Sequence, residues 1–320
     1  MLEFLYPMAL VCLGLLMLTG GAEALVEGSL RLASRLGLNP LVAGLTIVAF
    51  GTSCPELGVS MSAVINDVSN VAIGNVLGSN VANALLILGI GALTKPFRAN
   101  IALVRIEIPF LFAINIIAIV MAIASGTLSK GFGLIGLSMF GAYIFYLYKS
   151  RANPAYCLDE EDARHTGQNH KKGLLFEITL SILGLMALVY GSDTFLKGAL
   201  RLGHLMNVPE LFIGLTLAAI GTSLPEIAAT VSAARRGTGD VIIGNVIGSN
   251  LANLCLVLGL TSLVKPVAIE EIVLTRDFPM VFLSTVTLLL IVVKKSPIKR
   301  WQGLVLLLGY GTYISFVSIQ

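Results

Sequence analysis

Apolar residues run through this chain in long unbroken blocks instead of alternating with polar ones. The blocks lie near 5–35, 42–66, 70–94, 104–125 and 130–149, and again near 174–203, 209–234, 240–264, 274–293 and 301–318. A block of about 20 residues crosses the hydrocarbon core of a bilayer as an α-helix, whereas a barrel strand would be about 10 residues long with alternating character. The pattern predicts an all-α polytopic membrane protein with ten transmembrane helices. Residues 4–19 read as the first of these and not as a removed signal peptide, because no basic segment precedes them and no clear small-residue cleavage site follows. The one sizeable polar stretch, 150–172, is too short to fold alone and reads as a solvated linker.

The pattern occurs twice. GLTIVAFGTSCPE at 44–56 returns as GLTLAAIGTSLPE at 214–226, and GNVLGSNVAN at 74–83 returns as GNVIGSNLAN at 244–253. The interval is constant at 170 residues, from Glu56 to Glu226, Asn83 to Asn253 and Lys95-Pro96 to Lys265-Pro266. The chain therefore divides into a first five-helix repeat at 1–149, with its motif at 44–83, the linker at 150–172, and a second repeat at 173–320, with its motif at 214–253. Five spans is an odd number, so the second repeat enters the bilayer from the opposite side. The expected architecture is two inverted repeats with a site near the midplane where they meet.

Loop charge sets the orientation. With the N-terminus outside, sixteen Lys and Arg residues fall on the cytoplasmic side and five on the outer side. The positive-inside rule then places both termini outside and the linker in the cytoplasm, in a plasma (inner) membrane. Composition agrees: 56% of residues are apolar, 12% are charged and mean hydropathy is +0.90. A net charge of +3 gives no reason to expect nucleic acid, and no obligatory protein partner is implied. Cys12, Cys54 and Cys255 read as ordinary membrane-buried thiols and Cys157 as a loop thiol, without metal spacing or a disulfide framework.

The chemistry is carried by acids in apolar surroundings. Glu56 and Glu226 sit mid-helix, where a carboxylate costs roughly 2.5–3.5 kcal/mol on insertion scales. Pro55 and Pro225 lack an N–H, so the carbonyls of Gly51 and Gly221 lose their helix partners and each helix is expected to kink there. Ala49, Thr52, Ser53 and Glu56 share one helix face at i, i+3, i+4 and i+7, as do Ala219, Thr222, Ser223 and Glu226. Ser79 with Asn83, and Ser249 with Asn253, add hydroxyls and amides at i,i+4 spacing. Gly74 with Gly78 and Gly244 with Gly248 make close-packing faces. Asn75, Asn80, Asn245 and Asn250 fall on other faces and read as interhelical glue.

The donor set is therefore oxygen only, and it suits a hard cation rather than zinc or copper. Two carboxylates match one divalent ion. Ca²⁺ accepts 6–8 oxygens in flexible geometry, whereas Mg²⁺ gives up its waters reluctantly. The same oxygens could take Na⁺. No cofactor and no enzymatic chemistry are expected, because the spans hold no nucleophile–base pair. The string Gly237-Thr238-Gly239-Asp240 resembles part of an intramembrane protease motif but reads as a turn. Glu23, Glu27, Arg31 and Arg35 recur at i,i+4 and read as a solvated, internally paired helix end, as does Asp193, the repeat equivalent of Glu23.

The doubled G-T-S-x-P-E at 51–56 and 221–226, with G-S-N-x-x-N at 78–83 and 248–253, resembles the alpha repeats of the sodium/calcium exchangers, within the cation/calcium antiporter superfamily. The resemblance covers nearly the whole membrane chain, in a compact prokaryotic form. It implies a secondary-active antiporter that exchanges Na⁺ for Ca²⁺ by alternating access, with a proton/calcium antiporter as the alternative. By that resemblance Glu56 and Glu226 bind calcium with the Thr52 and Thr222 carbonyls. Ala49, Ser53, Ser79, Ala219, Ser223 and Ser249 contribute sodium ligands, and Asn83 lines the centre. The long first helix of each repeat slides across a fixed bundle. Asn253, where some relatives carry aspartate, makes the site symmetric with Asn83 and argues against potassium co-transport.

Overall fold

A computed structural model describes residues 2–98, 106–150, 173–206, 221–293 and 296–319. It is almost entirely helical. In chain order the helices are α1 (Leu2–Arg35), α2 (Pro40–Thr52), α3 (Cys54–Ile65), α4 (Ser69–Thr94), α5 (Glu107–Ser125), α6 (Lys130–Ser150), α7 (Leu174–Leu205), α8 (Leu224–Arg236), α9 (Gly239–Val264), α10 (Val273–Val293) and α11 (Arg300–Ile319). Among the described residues seven helices are long and apolar enough to cross a bilayer, and α2 with α3, bent by 41°, makes an eighth if taken as one span. Two of the ten expected spans fall short of that count for identifiable reasons. The N-terminal half of the 209–234 span lies in 207–220, outside the described residues. The apolar run of α11 is diluted by Gln302, Tyr310, Thr312 and Tyr313.

Two helices form the centre. The most apolar window of α9 is 94% buried and that of α4 is 72% buried, against 33% for α1 and 28% for α7. A membrane helix covered by protein on all sides can carry polar residues that lipid would not tolerate. Both central helices do so, and both widen into a π-helical turn at the same place, Asn83–Ile87 in α4 and Ala252–Val257 in α9. Such turns are frequent at functional positions because they redirect side chains and loosen the hydrogen-bond ladder.

Contacts come in pairs related by the 170-residue interval. Strand β1 (Thr127–Leu128) pairs antiparallel with β2 (Val267–Ala268), with Leu128 opposite Val267. Phe97 pairs with Ile298, and these are the repeat equivalents of Val267 and Leu128. Helix α6 packs on the end of α9 as α11 packs on the end of α4. The string at 237–240 is a turn: Gly237 is left-handed at φ 79° and closes α8, and Asp240 lies in the first turn of α9.

Helices α1 and α7 lie against each other along most of their length. Their contact face is built on glycines seven residues apart, Gly14, Gly21 and Gly28 on α1 and Gly184, Gly191 and Gly198 on α7. A methyl group on Gly21 would stand 2.8 Å from the Gly184 carbonyl oxygen, and one on Gly191 would stand 2.8 Å from Met17 Cβ. Small residues let the backbones approach and gain dispersion contacts that lipid-facing side chains cannot supply. The charged end of α1 departs from the solvated, self-paired reading. Glu27 does pair with Arg31 at 2.6 Å, but Arg35 reaches across to the buried Glu177 of α7 at 2.7 Å. The thiols differ as well: Cys255 is buried, whereas Cys12 and Cys54 are exposed on the protein surface. Cys157 lies outside the described residues.

Overpacking a tight interface costs about 1–3 kcal/mol. Gly191→Ala should therefore lower the thermal midpoint of the detergent-purified protein by several degrees. Gly141→Ala, whose added methyl meets nothing within 4 Å, should leave it unchanged or slightly higher.

Candidate functional site

The first motif folds as a broken helix, and the described part of the second, from Gly221 on, has the same turn. Helix α2 stops at Thr52 and α3 starts at Cys54, with Ser53 between them at φ −82°, ψ 3° and Pro55 in the first turn. In the second motif Ser223 takes φ −87°, ψ 2° ahead of α8, with Pro225 in its first turn. Glu56 and Glu226 thus lie in the first turns of α3 and α8, where free N–H groups and the helix dipole favour negative charge. The break also interrupts the continuous face expected for Ala49, Thr52, Ser53 and Glu56. The four remain together because all are buried around the break.

Proline frees the carbonyls expected of it, and the break adds others. The Gly221 carbonyl, which Pro225 leaves without a donor, accepts a 2.7 Å hydrogen bond from the Ser192 hydroxyl of α7. The Ser53 N–H bonds to the Ala49 carbonyl and leans towards that of Gly51. Past the break the ladder resumes with Leu57 N–H to Ser53 O and Ile227 N–H to Ser223 O. Among the described residues no main-chain donor reaches the carbonyls of Thr52 and Thr222. The turn at Ser53 thus adds the Thr52 carbonyl to the one that Pro55 frees. The Thr52 hydroxyl is held by Asn245 Oδ1 at 3.3 Å and stands 3.4 Å from the Ala49 carbonyl.

The asparagines form a symmetric clamp between α4 and α9. Asn80 Nδ2 donates to the Asn250 carbonyl at 3.4 Å, and Asn250 Nδ2 returns the bond to the Asn80 carbonyl at 3.3 Å. Asn83 Nδ2 donates to Asn250 Oδ1 at 2.8 Å, and Asn253 Nδ2 to Asn80 Oδ1 at 3.1 Å. The reading of Asn80 and Asn250 as glue is met, and the clamp fixes which way the other two amides point. Their NH₂ groups are used, so the oxygens of Asn83 and Asn253 are left free. Asn75 ties α4 to the broken helix through the Glu56 carbonyl, 3.1 Å, and the Ser60 hydroxyl, 2.9 Å.

Glu56 is 0% exposed and Glu226 is 1% exposed, and no Lys or Arg among the described residues pairs with either. The two carboxylates are close enough for their charges to act on each other directly, with the Thr222 and Ser79 hydroxyls beside Glu56 and Thr52 beside Glu226. Ser249, also buried, donates to the Ala49 carbonyl at 3.4 Å. Ala219 lies outside the described residues. Seven buried side-chain oxygens of the motifs have no hydrogen-bond partner: both of Glu56, Oε2 of Glu226, Oγ of Ser53 and Ser223, and Oδ1 of Asn83 and Asn253. Buried polar atoms are nearly always paired, so such a set needs a ligand. Every one is a hard oxygen that can face a cation. Among the described residues there is no cluster of three His, Cys, Asp or Glu side chains, so the remaining ligands around the two acids are neutral.

The family profile described as "Sodium/calcium exchanger protein" matches residues 6–149 and 176–319. The chain belongs to this family. This exchanger is 32% identical to the sodium/calcium exchanger MaX1 of Methanosarcina acetivorans, over 95% of its own length and 96% of the relative's. It is 31% identical to the inner membrane protein YrbG of Escherichia coli, over 97% and 96%. Among solved structures it resembles the sodium-calcium exchanger NCX_Mj soaked with Na⁺ and Sr²⁺, with a TM-score of 0.79 at 30% identity over 97% of this chain and 98% of that one. The protein is thus a transmembrane cation/calcium antiporter, a transporter and not an enzyme family.

Ser192 is the contact that the motif reading missed. Its repeat equivalent is Ala22, so comparing the two first helices position by position would have flagged it. The asparagine clamp supplies a test of the site's geometry. Asn250→Ala removes the acceptor for Asn83 and frees that amide to rotate. It should cost about 1–3 kcal/mol of stability. It should also reduce the extra thermal protection given by added Ca²⁺, measured as the calcium-dependent shift of the unfolding midpoint.

Proposed function

We propose that this exchanger couples Na⁺ to Ca²⁺ in opposite directions at the oxygen cluster between the two motifs. The observation that carries the reading is the set of seven unpartnered buried oxygens around two acids with no basic counter-charge. One Ca²⁺ neutralises both carboxylates. Sodium ions neutralise them one by one and draw on the hydroxyl and amide oxygens as well. The two loads cannot occupy the same carboxylates together, and that exclusion is what couples them. Neutral oxygens from Ser53, Ser223, Asn83 and Asn253 favour sodium over a proton-driven mechanism, because a proton needs only the glutamates. The names of MaX1 and NCX_Mj as sodium/calcium exchangers support the same choice.

The ligand set is Glu56 and Glu226, the carbonyls of Thr52 and Thr222, and Asn83 with Asn253. Ser53, Ser79, Ala49 and their equivalents Ser223, Ser249 and Ala219 serve sodium. The chain is organised as two inverted five-helix repeats, 1–149 and 173–320, with ten spans, both termini outside and the 150–172 linker cytoplasmic. Access alternates as α1 and α7 move together across the bundle built on α4 and α9. Their glycine-lined contact and the Arg35–Glu177 pair support treating them as one body.

In proteoliposomes loaded with Na⁺ and diluted into sodium-free medium, radioactive Ca²⁺ should accumulate. Glu226→Gln, which keeps the shape and removes one charge, should abolish uptake. Uptake that ignores sodium and follows a proton gradient would assign the protein to the proton-coupled alternative. No uptake under either gradient would contradict the choice of calcium.

A further inference from the structure

The two halves of this exchanger are equivalent in motif but not in how α1 and α7 cover them. Helix α1 packs along α8, and α7 also touches α8, while neither packs comparably on α3. Exposure follows. Pro225, Ala229 and Ser232 of α8 are buried, whereas their equivalents on α3 are half-buried at Pro55 and exposed at Val59 and Ser62. Cys54 is exposed where Leu224 is half-buried. Leu224 lies with Leu15 and Leu18 in a cavity of about 180 Å³ between α1 and α8. In this structure α1 and α7 therefore cover α8 and leave α3 uncovered.

At the charged end of α8 the closure carries an ion pair. Arg236 donates to Glu27 of α1 at 3.1 Å and approaches the Glu23 carbonyl at 3.4 Å. In an inverted repeat the contacts of the opposite state follow by exchanging each residue for its equivalent 170 positions away. Glu27 with Arg236 becomes Lys197 with Asn66, which form no ion pair. Ser192 with the Gly221 carbonyl becomes Ala22 with that of Gly51, which has no hydroxyl to offer. Neither contact has an equivalent in the exchanged arrangement.

We propose that Glu27 and Arg236 form a one-sided latch, seconded by Ser192, that biases this exchanger towards the state with α3 uncovered. The proposal rests on the alternating-access reading above. It adds that the two states are not equal in energy and names the residues responsible. A partly exposed ion pair is a weak contact, so the bias is a few-fold and adjustable.

Cys54 is a native reporter. The equivalents of Leu15 and Leu18 are Leu185 and Leu188, so in the exchanged state α7 covers Cys54 as α1 now covers Leu224. The experiment uses the full chain carrying Cys12→Ala and Cys157→Ala, purified in detergent, with Cys255 buried at 0% exposure. The maleimide labelling rate of Cys54 is read at the Ca²⁺ concentration that halves the parent's rate. A parent rate that no cation changes would count against alternating access itself, and so separates that failure from failure of the latch. Arg236→Gln should slow labelling about threefold, and Arg236→Lys should restore it. Asn66→Arg with Lys197→Glu builds the missing latch on the other side, with Arg201 standing where Arg31 stands now, and should also slow labelling. A parent-like rate in Arg236→Gln or in the double variant overturns the proposal.

Discussion

Two carboxylates buried without a basic partner are the constraint on which the rest of this structure depends. Glu56 and Glu226 lie at 0% and 1% exposure in a protein whose surroundings are lipid, and their charges repel each other. Burying even one uncompensated ion costs several kcal/mol after relaxation. The cost is met when cations replace the lost water or protons neutralise the acids, and a transporter needs that exchange to be reversible. Helix breaks, π-helical turns and unpaired oxygens are all means of presenting enough hard donors at that point without offering a permanent counter-ion.

The same constraint explains why the centre is so polar and yet so rigid. A half-helix start places each acid in a first turn, where free N–H groups favour negative charge, and the break before it leaves the carbonyls of Thr52 and Thr222 without a main-chain donor. The four asparagines of the clamp spend their NH₂ groups on one another, so that the oxygens left over belong to Asn83 and Asn253. That division leaves acceptor oxygens, not donors, unpaired beside the clamp. Around this fixed centre, α1 and α7 make their closest contacts with each other through glycine, which leaves their contact with the bundle free to differ between its two ends.

Much of this was legible from residues alone, because the signal is duplicated. A glutamate in an apolar run can be an accident; two at a constant interval, each behind a proline and each followed by G-S-N-x-x-N, mark one shared site. Helix positions followed from run length. What escaped was long-range or subtle. Arg35 looked bound for an i,i+4 partner on its own helix, and its carboxylate at Glu177 lies 142 residues away. The seven-residue spacing of glycines on α1 and α7 carries no polarity and so leaves no mark in a hydropathy pattern. Proline rules identified the Gly51 and Gly221 carbonyls and the resemblance named those of Thr52 and Thr222, but neither foretold that the Ser192 hydroxyl takes the Gly221 carbonyl.

The central claim is that one cluster of oxygens holds calcium or sodium but not both. The most direct test is equilibrium binding of radioactive Ca²⁺ to the purified protein as Na⁺ is raised, without any membrane or gradient. The account predicts that Na⁺ displaces Ca²⁺ with a Hill coefficient above 1, since more than one sodium is needed to neutralise both acids. It also predicts that Glu56→Gln with Glu226→Gln binds no Ca²⁺. Calcium that stays bound at saturating sodium, or that binds when both carboxylates are gone, would contradict it.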